Sequence, residues 1–175
     1  TRMGTSSSEL LKSGTSQMIK LIIDTDVGGG ACDDVDDVGT LCMANALADN
    51  GEIELLAVLV NTMPPACAGV VSVLQHYYGR ERVPIGVYKG GSTWDWRRST
   101  YVTLLADNWP SSVKVSSQLP AGVEVYRRVL SVAPDHSVVI SSVGMLTNLA
   151  DLLRSPPDEY TSLAGPALLL RKVRL

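Results

Sequence analysis

Ile22-Ile23-Asp24-Thr25-Asp26-Val27-Gly28-Gly29-Gly30-Ala31-Cys32-Asp33-Asp34-Val35-Asp36-Asp37-Val38-Gly39 is the stretch on which the fold turns. It begins inside a short aliphatic run, Ile19 to Ile23, that ends abruptly in a carboxylate, as a buried parallel strand ends at its polar edge. Beyond the glycines, Val35, Val38, Leu41, Cys42 and Ala46 recur at helical spacing until Asn50-Gly51 supplies a stop. Strand, acidic loop and helix therefore follow one another. Between Asp24 and Asp37 there are six carboxylates within fourteen residues. So much like charge is relieved by a hard cation, which takes oxygen ligands, and the glycines let the backbone fold both sides of the turn around one ion.

The same alternation continues along the chain. Ile53 to Val60 is nearly continuous aliphatic and ends at Asn61, which predicts a second strand covered on both faces. Val70, Val73, Leu74 and Tyr77 share a helical face that Gly79 closes, and Val83 to Tyr88 predicts a short third strand that Pro84 confines to an edge or a strand start. Residues Gly90 to Pro120 show no sustained period and hold Trp94, Trp96 and Trp109, so they read as a long excursion or lid. A helix through Val123, Tyr126, Val129 and Leu130 precedes the strand Val138 to Ile140 and the loop Ser141 to Gly144. A further helix starts near Leu146 and stops at Pro156-Pro157, and Leu168 to Leu175 resembles the start of another buried strand.

Strands alternating with helices give an α/β domain with a mostly parallel sheet and flanking helices. Ligands in such sheets bind beyond the carboxyl ends of the strands, so Asp24 to Asp37, Asn61 and Ser141 to Asn148 are expected to converge on one edge.

Composition narrows the function classes. A net charge of −3 and scattered basic residues exclude a nucleic-acid footprint, and no apolar run is long enough for a membrane span. Cys32, Cys42 and Cys67 lack the paired spacing of a zinc site and read as free thiols, which points to a reducing, cytoplasmic compartment. Residues 1–17 read as a flexible leader and 18–175 as the domain. His76 and His136 lie away from the polar strand ends and read as packing or surface residues. Trp94-Asp95-Trp96 has the character of a base-stacking platform or of a loop anchor.

Three stretches in order, the first holding both a turn and an Asp pair, carry a resemblance to the inosine-uridine nucleoside hydrolase family. Asp24-Thr25-Asp26-Val27-Gly28 resembles the family's Asp-x-Asp-Pro-Gly turn, with Val27 in place of Pro. Asp36-Asp37 resembles the Asp pair that opens the following helix, Asp33-Asp34 being the competing alignment. Val58-Leu59-Val60-Asn61 resembles the second strand and its ribose-site Asn, and Val143 to Ala150 the Gly-Pro-Leu-Thr-Asn turn, with Met145 for Pro.

The resemblance implies a nucleoside hydrolase-like domain, incomplete at its C-terminus, that binds Ca2+ and hydrolyses the N-glycosidic bond of ribonucleosides. Asp26 would be general base and metal ligand, Asp36 and Asp37 ligands, and Val143 a ligand through its backbone carbonyl. Asp36, Asn61 and Asn148 would bind the ribose. A small-molecule nucleoside is the expected partner, self-association is left open, and little turnover is expected from residues 18–175 alone. Two other readings stand beside it. One is a haloacid dehalogenase-like phosphohydrolase with Asp24 as nucleophile and Asp26 as acid/base; the other is a ribose- or cation-binding fragment without turnover.

Overall fold

The computed structural model describes residues 18–29, 35–62, 66–91, 100–114 and 116–174. Its centre is a four-stranded sheet in which every pairing is parallel. The strands are β1 (Ile19–Thr25), β2 (Ile53–Val60), β3 (Ile85–Val87) and β4 (Val138–Ser142), in the spatial order β3-β2-β1-β4. The protein is thus an α/β structure with helices on both faces of the sheet.

Side-chain alternation sorts the helices between the faces. On β1, Ile23 packs into a core with Leu41 and Ala44 of helix α1 (Asp36–Asp49), Val70 and Val71 of α2 (Cys67–Tyr77) and Val102 of α3 (Thr100–Asn108). Its neighbour Ile22 points the other way, to Val125, Tyr126 and Leu130 of α4 (Gly122–Val132), Leu152 of α5 (Thr147–Arg154) and Leu168 of α6 (Gly165–Lys172). In β2 the parity switches. Leu21 of β1 pairs with Leu55 but Ile22 pairs with Ala57, so Leu56 is an extra residue in the ladder. That bulge puts Ile53, Leu55, Val58 and Val60 in one core and Ala57 and Leu59 in the other. An unbroken aliphatic run serves both faces better than strict alternation could.

The third strand is shorter than the expected Val83 to Tyr88 and lies at the sheet edge, where Pro84 needs no ladder donor. Three expectations are corrected. The Gly90 to Pro120 excursion contains α3, whose inward residues Val102 and Ala106 are spaced as a helix requires. Leu168 to Arg174 does not open a strand: Gly165-Pro166 starts α6, Arg171 and Lys172 close it at the negative end of its dipole, and only Val173 bridges to Val138. In α1 the buried stripe is Asp37, Leu41, Ala44 and Asn45, and Val35 is 61% exposed. Asp37 turns inward because Thr25 and Asp26 meet it there. Trp94, Trp96, Asp33, Asp34, Cys32, residues 1–17 and Leu175 lie outside the described residues. No helix among the described residues is long and apolar enough to cross a membrane.

Candidate functional site

Sheet order defines where a ligand can enter. From β1 the chain builds outward through β2 to β3, then returns to place β4 on the other flank of β1. The helices that follow β1 and β4 pack on opposite faces, the arrangement at whose carboxyl edge open α/β sheets place a ligand crevice. All three polar strand ends meet there.

Asp24, the penultimate residue of β1, is fully buried. Its Oδ1 accepts from Asn61 Nδ2 at 2.9 Å and from Asn148 Nδ2 at 3.1 Å, and its Oδ2 accepts from the Tyr126 hydroxyl at 2.8 Å. Asn61 Nδ2 also donates to the Met145 carbonyl at 2.8 Å. With both acceptors on one side, the amide can only face them nitrogen-first, and Asn61 Oδ1 is left buried without a partner. Burial raises the Asp24 carboxyl to about 6; the hydrogen bonds from Asn148, Tyr126 and Asn61 oppose that rise and the nearby Asp26 adds to it. The same burial and the Asp24 carboxylate hold the Tyr126 phenol protonated.

Two residues on, at Asp26, the chain has left the strand. Asp26 is half-buried, and its carbonyl accepts from Gly29 N at 2.6 Å in the turn that follows. Gly28 makes that turn with φ +74°, and a Cβ there would stand 2.5 Å from Val102 Cγ2 and 2.9 Å from Cys67 Sγ. Only glycine meets both conditions. Asp37, 4% exposed, accepts from the Thr25 hydroxyl and is in side-chain hydrogen-bond contact with Asp26. Burial raises the Asp37 carboxyl to about 7; the Thr25 hydroxyl opposes that, and Asp26 and Asp36 add to it. Asp36 is exposed at the start of α1, where its Oδ1 accepts from Asp37 N at 2.8 Å.

The third segment closes over these two. Val143 N donates to the Asp24 carbonyl at 2.9 Å, and Gly144 lies so close that a Cβ would stand 2.6 Å from Asp26 N and 2.7 Å from Asp26 Oδ1. Behind Asn148, a Cβ at Gly122 would fall 2.5 Å from its Oδ1, so α4 is pressed onto the same network. Ser142 Oγ and Thr147 Oγ1, at the two ends of this turn, are buried and without hydrogen-bond partners.

Of the sequence-predicted site residues, Asp26 and Asp37 are brought into contact and the turn that follows Val143 is seated against Asp26. Asn61 and Asn148 are buried, with their amide nitrogens on Asp24. Asp36 stays at the surface. Among the described residues no group of three or more His, Cys, Asp or Glu side chains is arranged to hold a metal ion. The donor chemistry of the pair nevertheless suits a hard cation, which takes oxygen ligands and relieves the repulsion between two neighbouring carboxylates.

Sequence reasoning missed Tyr126 and Thr25. Tyr126 sits on an apolar helical face and reads as core; its buried hydroxyl demanded a polar partner, but nothing in the sequence says which. No family model matches this chain, and no curated protein sequence matches it.

Proposed function

We propose that the crevice between β1 and β4 is the site of a calcium-dependent nucleoside N-ribohydrolase of the inosine-uridine type, cleaving a ribonucleoside to free base and ribose. The observation that carries this reading is the contact between Asp26 and Asp37 at the carboxyl edge, a carboxylate pair whose repulsion is relieved by a proton on Asp37 below about pH 7 and by a bound cation above it. Asp26 and Asp37 would hold the ion, with Asp36 and the Val143 carbonyl as further ligands. When bound, calcium would supply charge compensation and acidify the attacking water.

The chain's own groups would do the rest. Asp26, half-buried beside the crevice, accepts the proton of the attacking water as general base. The acidic wall stabilises the positive charge that develops on the ribose as the glycosidic bond breaks. Asn61 Oδ1, Ser142 Oγ and Thr147 Oγ1 are buried polar atoms without partners, each costing about 1–3 kcal/mol if left so. Each would gain a partner only if the edge opened enough for a sugar hydroxyl or a water to reach it.

Asp24 weighs against the phosphohydrolase alternative. A nucleophile needs an exposed oxygen, whereas both Asp24 oxygens are buried and committed to Asn61, Asn148 and Tyr126.

Release of free base from inosine and uridine, with calcium and with chelator, tests the proposal. The expected rate is low, dependent on calcium, and reduced by about 10²–10⁴-fold in Asp26→Ala, the range for loss of a general base. A variant retaining its rate would remove Asp26 from that role. Phosphate release from sugar phosphates without base release from nucleosides would favour the phosphohydrolase, and calcium or ribose binding without turnover would favour a binding module.

A further inference from the structure

Strand β1 ends in two buried polar residues, Asp24 and Thr25, and the pleat sends them to opposite faces of the sheet. Asp24 meets Tyr126 of α4 and Asn148 of α5, so Thr25 turns to the layer that holds α1. There its hydroxyl makes two bonds. It donates to Asp37 Oδ1, and it accepts from Val27 N at 3.3 Å. The backbone N–H can only donate, which leaves the hydroxyl proton for Asp37. One buried side chain thus joins the turn that carries Asp26 to the carboxylate of Asp37. Valine has the same shape and would continue the aliphatic run of β1, but it would leave Asp37 Oδ1 and Val27 N without this partner.

A second threonine on the same turn provides the contrast. Thr62, just past β2 and 1% exposed, donates from its Oγ1 to the Val27 carbonyl at 3.2 Å. Both hydroxyls therefore hold the backbone at Val27, one at its N–H and one at its carbonyl. Thr25 also orients a carboxylate of the pair; its bond to Asp37 is the feature that Thr62 does not share.

We propose that Thr25 is a positioning residue for the cation, an inference that rests on the calcium reading above: its hydroxyl fixes the Asp37 carboxylate against Asp26, so that both present oxygens to one ion. Thr25 itself touches neither ion nor substrate. Hydrogen-bond partners standing behind metal-binding carboxylates are typically worth about 10–100-fold in metal affinity.

Calcium titrations by calorimetry of the wild-type protein, Thr25→Val, Thr25→Ser and Thr62→Val test this, with urea midpoints of the calcium-free proteins measured alongside. Both valine variants are expected to be less stable without calcium, since each loses a buried hydrogen bond. Calcium affinity should separate them. Thr25→Val should bind about 10–100-fold more weakly, Thr25→Ser should recover most of that loss because it keeps the hydroxyl, and Thr62→Val should bind about as tightly as wild type. If Thr25→Val does not fold, Thr25→Cys, whose thiol is a weak donor, takes its place with a loss in the same direction. Unchanged affinity without the Thr25 hydroxyl would overturn the proposal, as would a serine variant as weak as the valine one. An equal loss in Thr62→Val would overturn it too, because affinity would then follow the turn and not the carboxylate. A wild-type protein that binds no calcium would remove the calcium reading itself, and this inference with it.

Discussion

Asp24 looks at first like the chemical centre of this site, and its surroundings argue that it is instead the peg on which the site hangs. Its two oxygens collect donors from the end of β2, from α4 and from α5, so one carboxylate fixes three separate elements around the crevice. The folded carboxyl sits at about 6 against an ordinary 3.8 because burial disfavours its charge. A carboxyl raised on folding contributes stability that is complete below the ordinary value and is lost as pH rises through the folded one. The loss for Asp24 is up to about 3 kcal/mol between pH 4 and neutrality, and Asp37, raised to about 7, adds to it in the same direction. In calcium-free buffer the unfolding free energy should therefore fall from about pH 4.5 to about pH 7.5. Asp24→Asn should flatten part of that slope. Its amide oxygen still accepts from Asn61 and Asn148, while its NH2 meets the Tyr126 hydroxyl, which can turn to accept. Asp24→Ala should cost about 3 kcal/mol or more, because it strands those donors in the interior. Urea unfolding of both variants across that pH range checks this, and an Asn variant as damaged as the Ala variant would contradict it.

At the level of elements, the connection from α5 to α6 is held by a residue that the sequence gives no reason to single out. Arg127 reads as half of a basic surface pair with Arg128, yet it is 2% exposed and Arg128 is exposed. Its guanidinium grips Asp158 through two nitrogens, Ser155 Oγ at 2.7 Å and the Leu163 carbonyl at 3.0 Å, so α4 clamps residues 155–163 onto the sheet. Arg127→Ala should destabilise by about 1–3 kcal/mol: it unmakes the hydrogen bonds to Ser155 and the Leu163 carbonyl, while the exposed Asp158 carboxylate returns to water. Lysine should not rescue it, since a point charge cannot span the fork. Urea midpoints of the two variants measure this; a loss below about 1 kcal/mol would mean that the loop holds itself. The same region shows why some elements were legible and others not. Strands β1, β2 and β4 announce themselves because each is an aliphatic run stopped by a polar residue. Helix α6 does not, because Leu168-Leu169-Leu170 suits either a strand or a one-sided helix, and only packing decides: Leu168 is buried and Leu170 is 67% exposed. Helix α3 hides because only nine residues of period lie inside a stretch rich in breakers. The convergence of Asp24, Asn61 and Asn148 was readable from strand ends alone, whereas the commitment of both Asn amides to Asp24 depends on side-chain geometry that no spacing encodes.

Across the whole molecule, the crevice is where two independently packed halves touch. One core joins α1, α2 and α3 to the sheet, the other joins α4, α5 and α6, and the strands run between them. Asp26 and Asp37 belong to the first side of the crevice, and the turn from Val143 to Leu146 leads into a helix of the second. The two sides meet where Gly144 abuts Asp26. On the proposed reading, a cation held by Asp26, Asp37 and the Val143 carbonyl would tie both layers together. Calcium at about 100 times its Kd should then stabilise the fold by about 2.7 kcal/mol. The gain should appear as slower amide hydrogen exchange on both sides, in Asp26 to Gly29 and in Val143 to Asn148, and should be lost in Asp37→Asn. Because the ion must displace the proton that Asp37 carries below about 7, the effect should also shrink as pH falls through that value. Protection confined to the first side would mean that the Val143 carbonyl is not a ligand, and an undiminished gain in Asp37→Asn would place the ion elsewhere.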